Sequence, residues 1–259
     1  MLWSREMGWG YLRERREAQD LTCAQVQMLH SLVGDREDGL TLIGDGQQSI
    51  YPGGYTLAEA GVSVTGRAIV MDVNYRNTVE ILAYASSLVA LSESPDLDGT
   101  GSGADAPAQV ARTGVKPTVV RCSSATEAER RLVARVSDLV AGAATGFGGG
   151  VGPGDIGVLC ATKATALRVE ALLGDAGHAT ISLERYRGEV GDAVKVGTVK
   201  RAKGLEFKHV LVPDARPGLV DGSAAPEDEG ERERWELELR ELYVAVTRAR
   251  DGLWVGVVG

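Results

Sequence analysis

The sequence is short of cysteine and phenylalanine and has no long apolar run. Its three cysteines, Cys23, Cys122 and Cys160, are widely spaced and form no CxxC pair. An odd, scattered set builds neither a disulfide scaffold nor a zinc site, and it points to reduced thiols and a cytoplasmic protein. His30, His178 and His209 stand alone, so no metal site is expected. No run of ~18 apolar residues occurs, which excludes a membrane-spanning helix, and Met1–Asp20 lacks the apolar centre of a secretory signal. With only two phenylalanines, the core must be aliphatic. Cations are also in deficit: 28 Lys and Arg face 36 Asp and Glu, a net charge of -8. That balance argues against a dedicated DNA-binding face, though it leaves room for local basic clusters.

What remains is an ordinary globular chain of 259 residues, 44% hydrophobic and 25% charged, long enough for one or two domains. Short apolar runs alternate with segments of helical period. LTLIGD (Leu40–Asp45), TVVRC (Thr118–Cys122), IGVLC (Ile156–Cys160), Val194–Val199, His209–Val212 and LWVGVV (Leu253–Val258) read as strands. Between them, Ile81, Leu82, Ala85, Leu88 and Val89 share a helical face behind a cap at Thr78. Leu132, Val133, Val136, Leu139 and Val140 share another, behind a capping box at Ser124 and Glu127. A third helix follows Thr162, with Val169, Leu172, Leu173 and Ala176 inward. A late helix carries Trp235, Leu239, Leu242 and Val246. This alternation predicts an α/β fold with a parallel sheet covered on both sides. Ser92–Lys116 and Ala141–Gly154 are rich in small residues and read as surface loops. Asp221–Arg234 reads as a charged, solvated loop.

Four stretches hold polar residues that folding does not require. Gly44-Asp-Gly-Gln-Gln-Ser-Ile-Tyr51 follows a strand, and polar groups at a parallel strand's carboxyl end lie where α/β proteins bind ligands. A glutamine there can orient water or sense a phosphate. Asn74-Tyr75-Arg76 closes a strand-like run, with an arginine able to clamp phosphate and a flat ring able to meet a base. Thr198-Val-Lys-Arg-Ala-Lys-Gly-Leu-Glu-Phe207 sets cations and a glycine against a carboxylate suited to a sugar hydroxyl. Glu241-Leu-Tyr-Val-Ala-Val-Thr-Arg-Ala-Arg250 ends in two arginines. One of these can reach a transferring phosphate, or both can simply complement a helix carboxyl end.

In order and spacing these stretches resemble motifs III, IV, V and VI of the UvrD/Rep-like superfamily-one DNA helicases. Ala18-Gln-Asp-Leu21 is similar to the end of that family's motif II. The resemblance implies a RecA-like fold of the P-loop NTPase type, with ATP and Mg2+ bound between two motor domains that step along single-stranded DNA, typically 3′ to 5′. It implies that Gln48 senses the γ-phosphate and that Arg76 contacts it. Tyr75 would lie beside the adenine, Glu206 would reach the nucleotide sugar, and Arg248 would be the arginine finger. Glu17 matches the catalytic glutamate. Tyr51, Thr198 and Lys200 match the DNA-contacting side.

The departures are as informative. No GxxxxGK[ST] loop is present, and no Gly-Lys dipeptide occurs anywhere. That loop cradles the phosphates and supplies a lysine and a magnesium-binding hydroxyl. Arg16 stands where the family's magnesium-binding aspartate belongs, behind a charged run, Leu12–Arg16, in place of a buried strand. Gly53 replaces an aromatic base platform, and Lys200 replaces a histidine. The expectation is a remnant of a first motor domain in residues 1–65 and a nearly complete second one in residues 66–259. Such a chain would be inactive alone and would need a separate chain carrying the phosphate loop. The alternatives are a non-catalytic domain binding nucleic acid or a protein partner, and the product of a truncated gene.

Overall fold

The structure is a computed structural model. It describes residues 14–15, 18–34, 39–45, 48, 55–64, 67, 69, 73–90, 109–142, 151–188, 191–222 and 225–259. Glu17, Arg16, Tyr51 and Gly53, singled out above, lie outside the described residues. The chain divides into two units, Met1–Met71 with Glu93–Ala106, and Asp72–Ser92 with Pro107–Gly259.

In the first unit, β1 (Glu14–Arg15) pairs in parallel with β2 (Thr41–Leu42), so the charged run before motif II does contribute strand. Between them lies α1 (Cys23–Val33), a helix the sequence reading did not mark. Its start is a reciprocal capping box: the Thr22 hydroxyl accepts from the Gln25 amide at 3.3 Å, and the Gln25 side chain accepts from the Thr22 amide at 2.8 Å. Val26, Leu57 and Ala60 form its small buried core.

The second unit opens with β3 (Val73–Asn74), α2 (Val79–Val89) and β4 (Gln109–Val110), β3 and β4 pairing in parallel. The expected surface loop at 92–116 therefore contains a strand. There follow β5 (Thr118–Cys122), α3 (Ala125–Val140), β6 (Ile156–Cys160), α4 (Lys163–Asp175), β7 (Thr180–Ser182) and β8 (Val194–Thr198). Then come α5 (Val199–Ala202), β9 (Phe207–Ala215), α6 (Pro217–Val220), α7 (Glu229–Thr247) and β10 (Ala249–Val258). Six strands form one parallel sheet in the order β5-β10-β9-β6-β8-β7. The expected α/β class holds.

All five residues of β6 are buried, so at the sheet's centre both faces are covered. Leu132, Val136 and Leu139 of α3 and Val169 and Leu173 of α4 pack on Ile156, Val158, Val194, Val196 and Leu211. α7 packs on β9 and β10, and α2 packs on α7. The helix faces anticipated from periodicity are largely the buried ones, though Ala176 lies past the end of α4 and is exposed.

Three details differ from the sequence reading. The Glu127 carboxylate accepts from the amide and hydroxyl of Ser123, at 2.9 and 2.8 Å, instead of closing a capping box on Ser124. The charged run is loop only in part, since α7 starts at Glu229 behind an Asp228 cap. The last strand starts at Ala249, four residues earlier than its apolar run, so Arg250 stands on a strand and not at a helix end.

Candidate functional site

Two clusters of the anticipated residues are described, one in each unit. In the first unit, a 3₁₀ turn at Ala18–Asp20 puts the motif II remnant beside the start of motif III. The Ala18 amide donates to the Ile43 carbonyl at 2.9 Å, and the buried Gln19 side chain accepts from the Asp45 amide at 3.1 Å. Gly44 permits this approach, because a Cβ there would sit 2.6 Å from Gln19 Oε1. Gln48 donates from Nε2 to the Asp45 carboxylate at 2.8 Å. Gln48 is thus held by the strand-end aspartate, which the sequence reading did not single out.

The second cluster joins motifs IV, V and VI. Arg76 Nε and Glu206 Oε1 form an ion pair at 2.6 Å, with both side chains about two-fifths exposed (41% and 39%). A pair this wet contributes about 0–1 kcal/mol, so either partner is released at little cost. Tyr75 beside it is exposed. The turn carrying Arg76 is shaped by Asn74, whose Oδ1 accepts from the amides of Arg76 and Asn77, each at 2.9 Å.

Asn77 is buried, and its Nδ2 donates to the carbonyls of Thr247 at 3.1 Å and Ala249 at 2.6 Å. Those carbonyls flank Arg248. The Arg248 carbonyl in turn accepts from the Phe207 amide at 3.0 Å, next to Glu206. One asparagine and one backbone bond therefore bring the three motifs together. The sequence reading missed Asn77, although its place directly after Tyr75-Arg76 was a usable signal.

The Arg248 side chain is only 2% exposed. Its Nε donates to the Val244 carbonyl at 3.2 Å, and an Nη2 contact of 3.4 Å reaches the Thr247 hydroxyl. In this conformation the guanidinium lies along the carboxyl end of α7, where a cation complements the helix dipole. Arg250, by contrast, is exposed.

Glu206 and Arg248 immediately precede β9 and β10, at the amino ends of their strands. Thr198 does end β8, so it lies at the other end of the same parallel sheet. Lys200 follows on α5 and pairs with Glu241 of α7 at 3.1 Å.

A cavity of about 370 Å³ adjoins Glu206, lined also by Asp155, Tyr186, Asp192, Lys195 and Phe207. Burial holds the Lys195 ammonium below the usual lysine range against the opposing pull of Asp155, and it sits 5.1 Å from the Tyr186 ring centre. Among the described residues no group of three His, Cys, Asp or Glu side chains is placed to hold a metal. No described helix is long and apolar enough to cross a membrane.

The UvrD-like helicase C-terminal domain family matches residues 176–258, a span that holds Thr198, Lys200, Glu206 and Arg248 but neither Gln48 nor Arg76. A probable DNA helicase II homolog of Rickettsia conorii (strain ATCC VR-613 / Malish 7) is 34% identical over 80 residues. That alignment covers 30% of this chain and 12% of the relative. A probable DNA helicase II homolog of Rickettsia felis (strain ATCC VR-1525 / URRWXCal2) gives the same figures. The matched region is thus a small part of the length of these relatives. The solved C-terminal domain of a possible DNA helicase from Lactobacillus plantarum WCFS1 is similar at 18% identity and a TM-score of 0.47, covering 72% of this chain and 89% of that one. Residues 176–258 are thus similar to the C-terminal domain of UvrD-like helicases.

Proposed function

We propose that this chain supplies the second motor domain's half of an ATP site in a DNA-stimulated helicase or translocase stepping 3′ to 5′ on single-stranded DNA. Residues 66–259 are read as that domain, RecA-like in type, and residues 1–65 as a strip of the first. The observation that carries the reading is the Arg76–Glu206 pair, tied through Phe207 and Asn77 to the turn bearing Arg248. It offers the Arg76 guanidinium for a phosphate oxygen and a carboxylate for a sugar hydroxyl, and the Arg248 guanidinium would join them on leaving the Val244 carbonyl. Bound phosphate would compete with Glu206 for Arg76 and free that carboxylate for the sugar. ATP with Mg2+ fits this cation-rich half-site. The metal would ride on the nucleotide, neutralising phosphate charge, with its protein ligands supplied by the chain that carries the phosphate loop and an intact motif II.

Gln48 and Glu17 belong to the same reading as the phosphate sensor and the catalytic base. Tyr75 would be the adenine's neighbour. Thr198, Lys200 and Tyr51 would contact the DNA strand. Because Thr198 ends β8 while Glu206 precedes β9, nucleotide and strand would engage opposite ends of one sheet, linked by α5.

The phosphate loop is absent from this sequence, and positioning plus charge neutralisation make up nearly all of phosphoryl-transfer catalysis. The polypeptide alone is therefore expected to show no DNA-stimulated ATPase. Adding a second polypeptide with a GxxxxGK[ST] loop and an intact motif II should restore ATP turnover dependent on single-stranded DNA. Robust turnover by the chain alone, abolished by Glu17→Gln, would overturn the reading.

A further inference from the structure

Arg112 joins the stretch carrying Arg76 to the one ending in Arg250, yet nothing in its sequence neighbourhood marks it. Its Nη1 donates to the Arg76 carbonyl at 2.7 Å and to the Arg250 carbonyl at 3.3 Å, and its Nη2 pairs with the Asp251 carboxylate. Its own backbone is fixed from both sides. The Val79 amide, first in α2, donates to the Arg112 carbonyl at 2.8 Å, and the Ala111 amide donates to Asn74 at 3.2 Å. One guanidinium therefore spans the turn before α2 and the start of β10.

We propose that Arg112 is a positioning residue that sets Arg76 against the turn carrying Arg248. The inference rests on the ATP-site reading for its catalytic meaning, while the tether itself stands on the geometry alone. The planar fork suits the task, since it presents several donors in fixed directions. Two acceptors are main-chain carbonyls, so Arg112 leaves the Arg76 side chain to its pair with Glu206 and does not engage the Arg250 side chain. Asn77 holds the same turn from its other side through Thr247 and Ala249. Asn77 ties this turn to the backbone on either side of Arg248, and Arg112 ties it further along, to Arg250 and Asp251. Misplacing catalytic groups by about an ångström costs on the order of 10²-fold in rate, so such a tether has kinetic weight although it touches no substrate.

The test uses the full chain in two measurements. In hydrogen exchange followed by mass spectrometry, Arg112→Ala should speed exchange at least ~10-fold in peptides covering both 73–80 and 247–252. Peptides from β6 and from the middle of β9 should be unmoved. Arg112→Lys should protect one of the two segments only, because a point charge cannot span both. Asp251→Asn, which keeps the side chain's shape, should loosen 247–252 alone. In the complemented ATPase, Arg112→Ala should lower kcat by about 10–100-fold and leave KM for ATP within about threefold.

Exchange changes confined to residues 109–114 would overturn the tether. Unchanged kcat in an active assembly would overturn its catalytic role. If the wild-type assembly itself turns over no ATP, the ATP-site reading fails, and hydrogen exchange alone then decides whether Arg112 couples the two segments.

Discussion

Arg248 and Arg250 are two residues apart in one motif, yet the structure gives them different circumstances. Arg248 is buried along the carboxyl turn of α7, and Arg250 is an exposed strand residue whose carbonyl, not its side chain, is used. For Arg248 to reach a γ-phosphate, its guanidinium must leave the Val244 carbonyl, and a neutral acceptor is readily exchanged for a charged one. In the complemented assembly, Arg248→Ala should remove most of the restored activity, on the scale of ~10³-fold or more seen for arginine fingers. Arg248→Lys should rescue little, because the planar fork is lost. Arg250→Ala keeps the carbonyl that Arg112 uses and should be nearly silent. Steady-state ATPase with urea unfolding of the same variants separates catalysis from stability. Equal losses at both positions would mean that the motif acts as a charge cluster.

The elements illustrate how local chemistry fixes a boundary. α3 begins behind Ser124, and Glu127 in its first turn accepts from Ser123 and pairs with Arg131 one turn on. The bonds from the Ser123 amide and hydroxyl, followed by Arg131, hold the Glu127 carboxyl down to about 2, from an ordinary value of 4.5. A carboxyl lowered on folding stabilises the protein above its unfolded value, and that contribution is lost as pH falls through the folded one. Wild type should therefore exceed Glu127→Gln in urea midpoint at pH 5–7, and the gap should close between about pH 4.5 and about pH 2. A gap that persists undiminished to pH 2 would show that the glutamate acts by packing.

Helix starts of this kind were legible in the sequence because a cap and a period lie within a few residues of each other. Thr78, Ser124 and Thr162 all accept from the amide three residues on. The beginning of β10 was not legible, because Ala249-Arg-Asp-Gly252 is polar and is held by neighbours across the sheet. Arg112 was invisible for the same reason: its partners are 36, 138 and 139 residues away. Asn77 and Arg112 shape the second cluster without belonging to an apolar pattern, and only the fold brings Thr247, Ala249, Arg250 and Asp251 near them.

At the scale of the molecule, the described residues of the two units differ in how much apolar surface they bury within each unit. The second has a continuous core from α3, α4, β6, β8 and β9, including Leu132, Val136, Ile156, Val158, Leu173 and Leu211, all fully buried. Among the described residues of the first, the core cluster is Val26, Leu57 and Ala60, with half-buried neighbours such as Leu42 and Tyr55. Burying a Val or Leu side chain is worth roughly 1.5–3 kcal/mol, and ordering each residue's backbone costs about 1–2 kcal/mol. Among the described residues, the small cluster of the first unit thus offsets the ordering of few residues, whereas the sheet of the second unit spreads that cost over many buried contacts. Local opening should accordingly be easiest in the first unit. Limited proteolysis with mass spectrometry should give first cuts within residues 18–64 and a long-lived fragment containing β5 to β10. Native-state hydrogen exchange should rank β6 and β9 as the slowest segments. A polypeptide covering 72–259 should retain that protection pattern and unfold in urea as a single transition. Early cleavage inside 198–212 with residues 18–64 left intact would contradict this assignment of stability. It would mean that the connection carrying Glu206, not the first unit, is the weak point of the molecule.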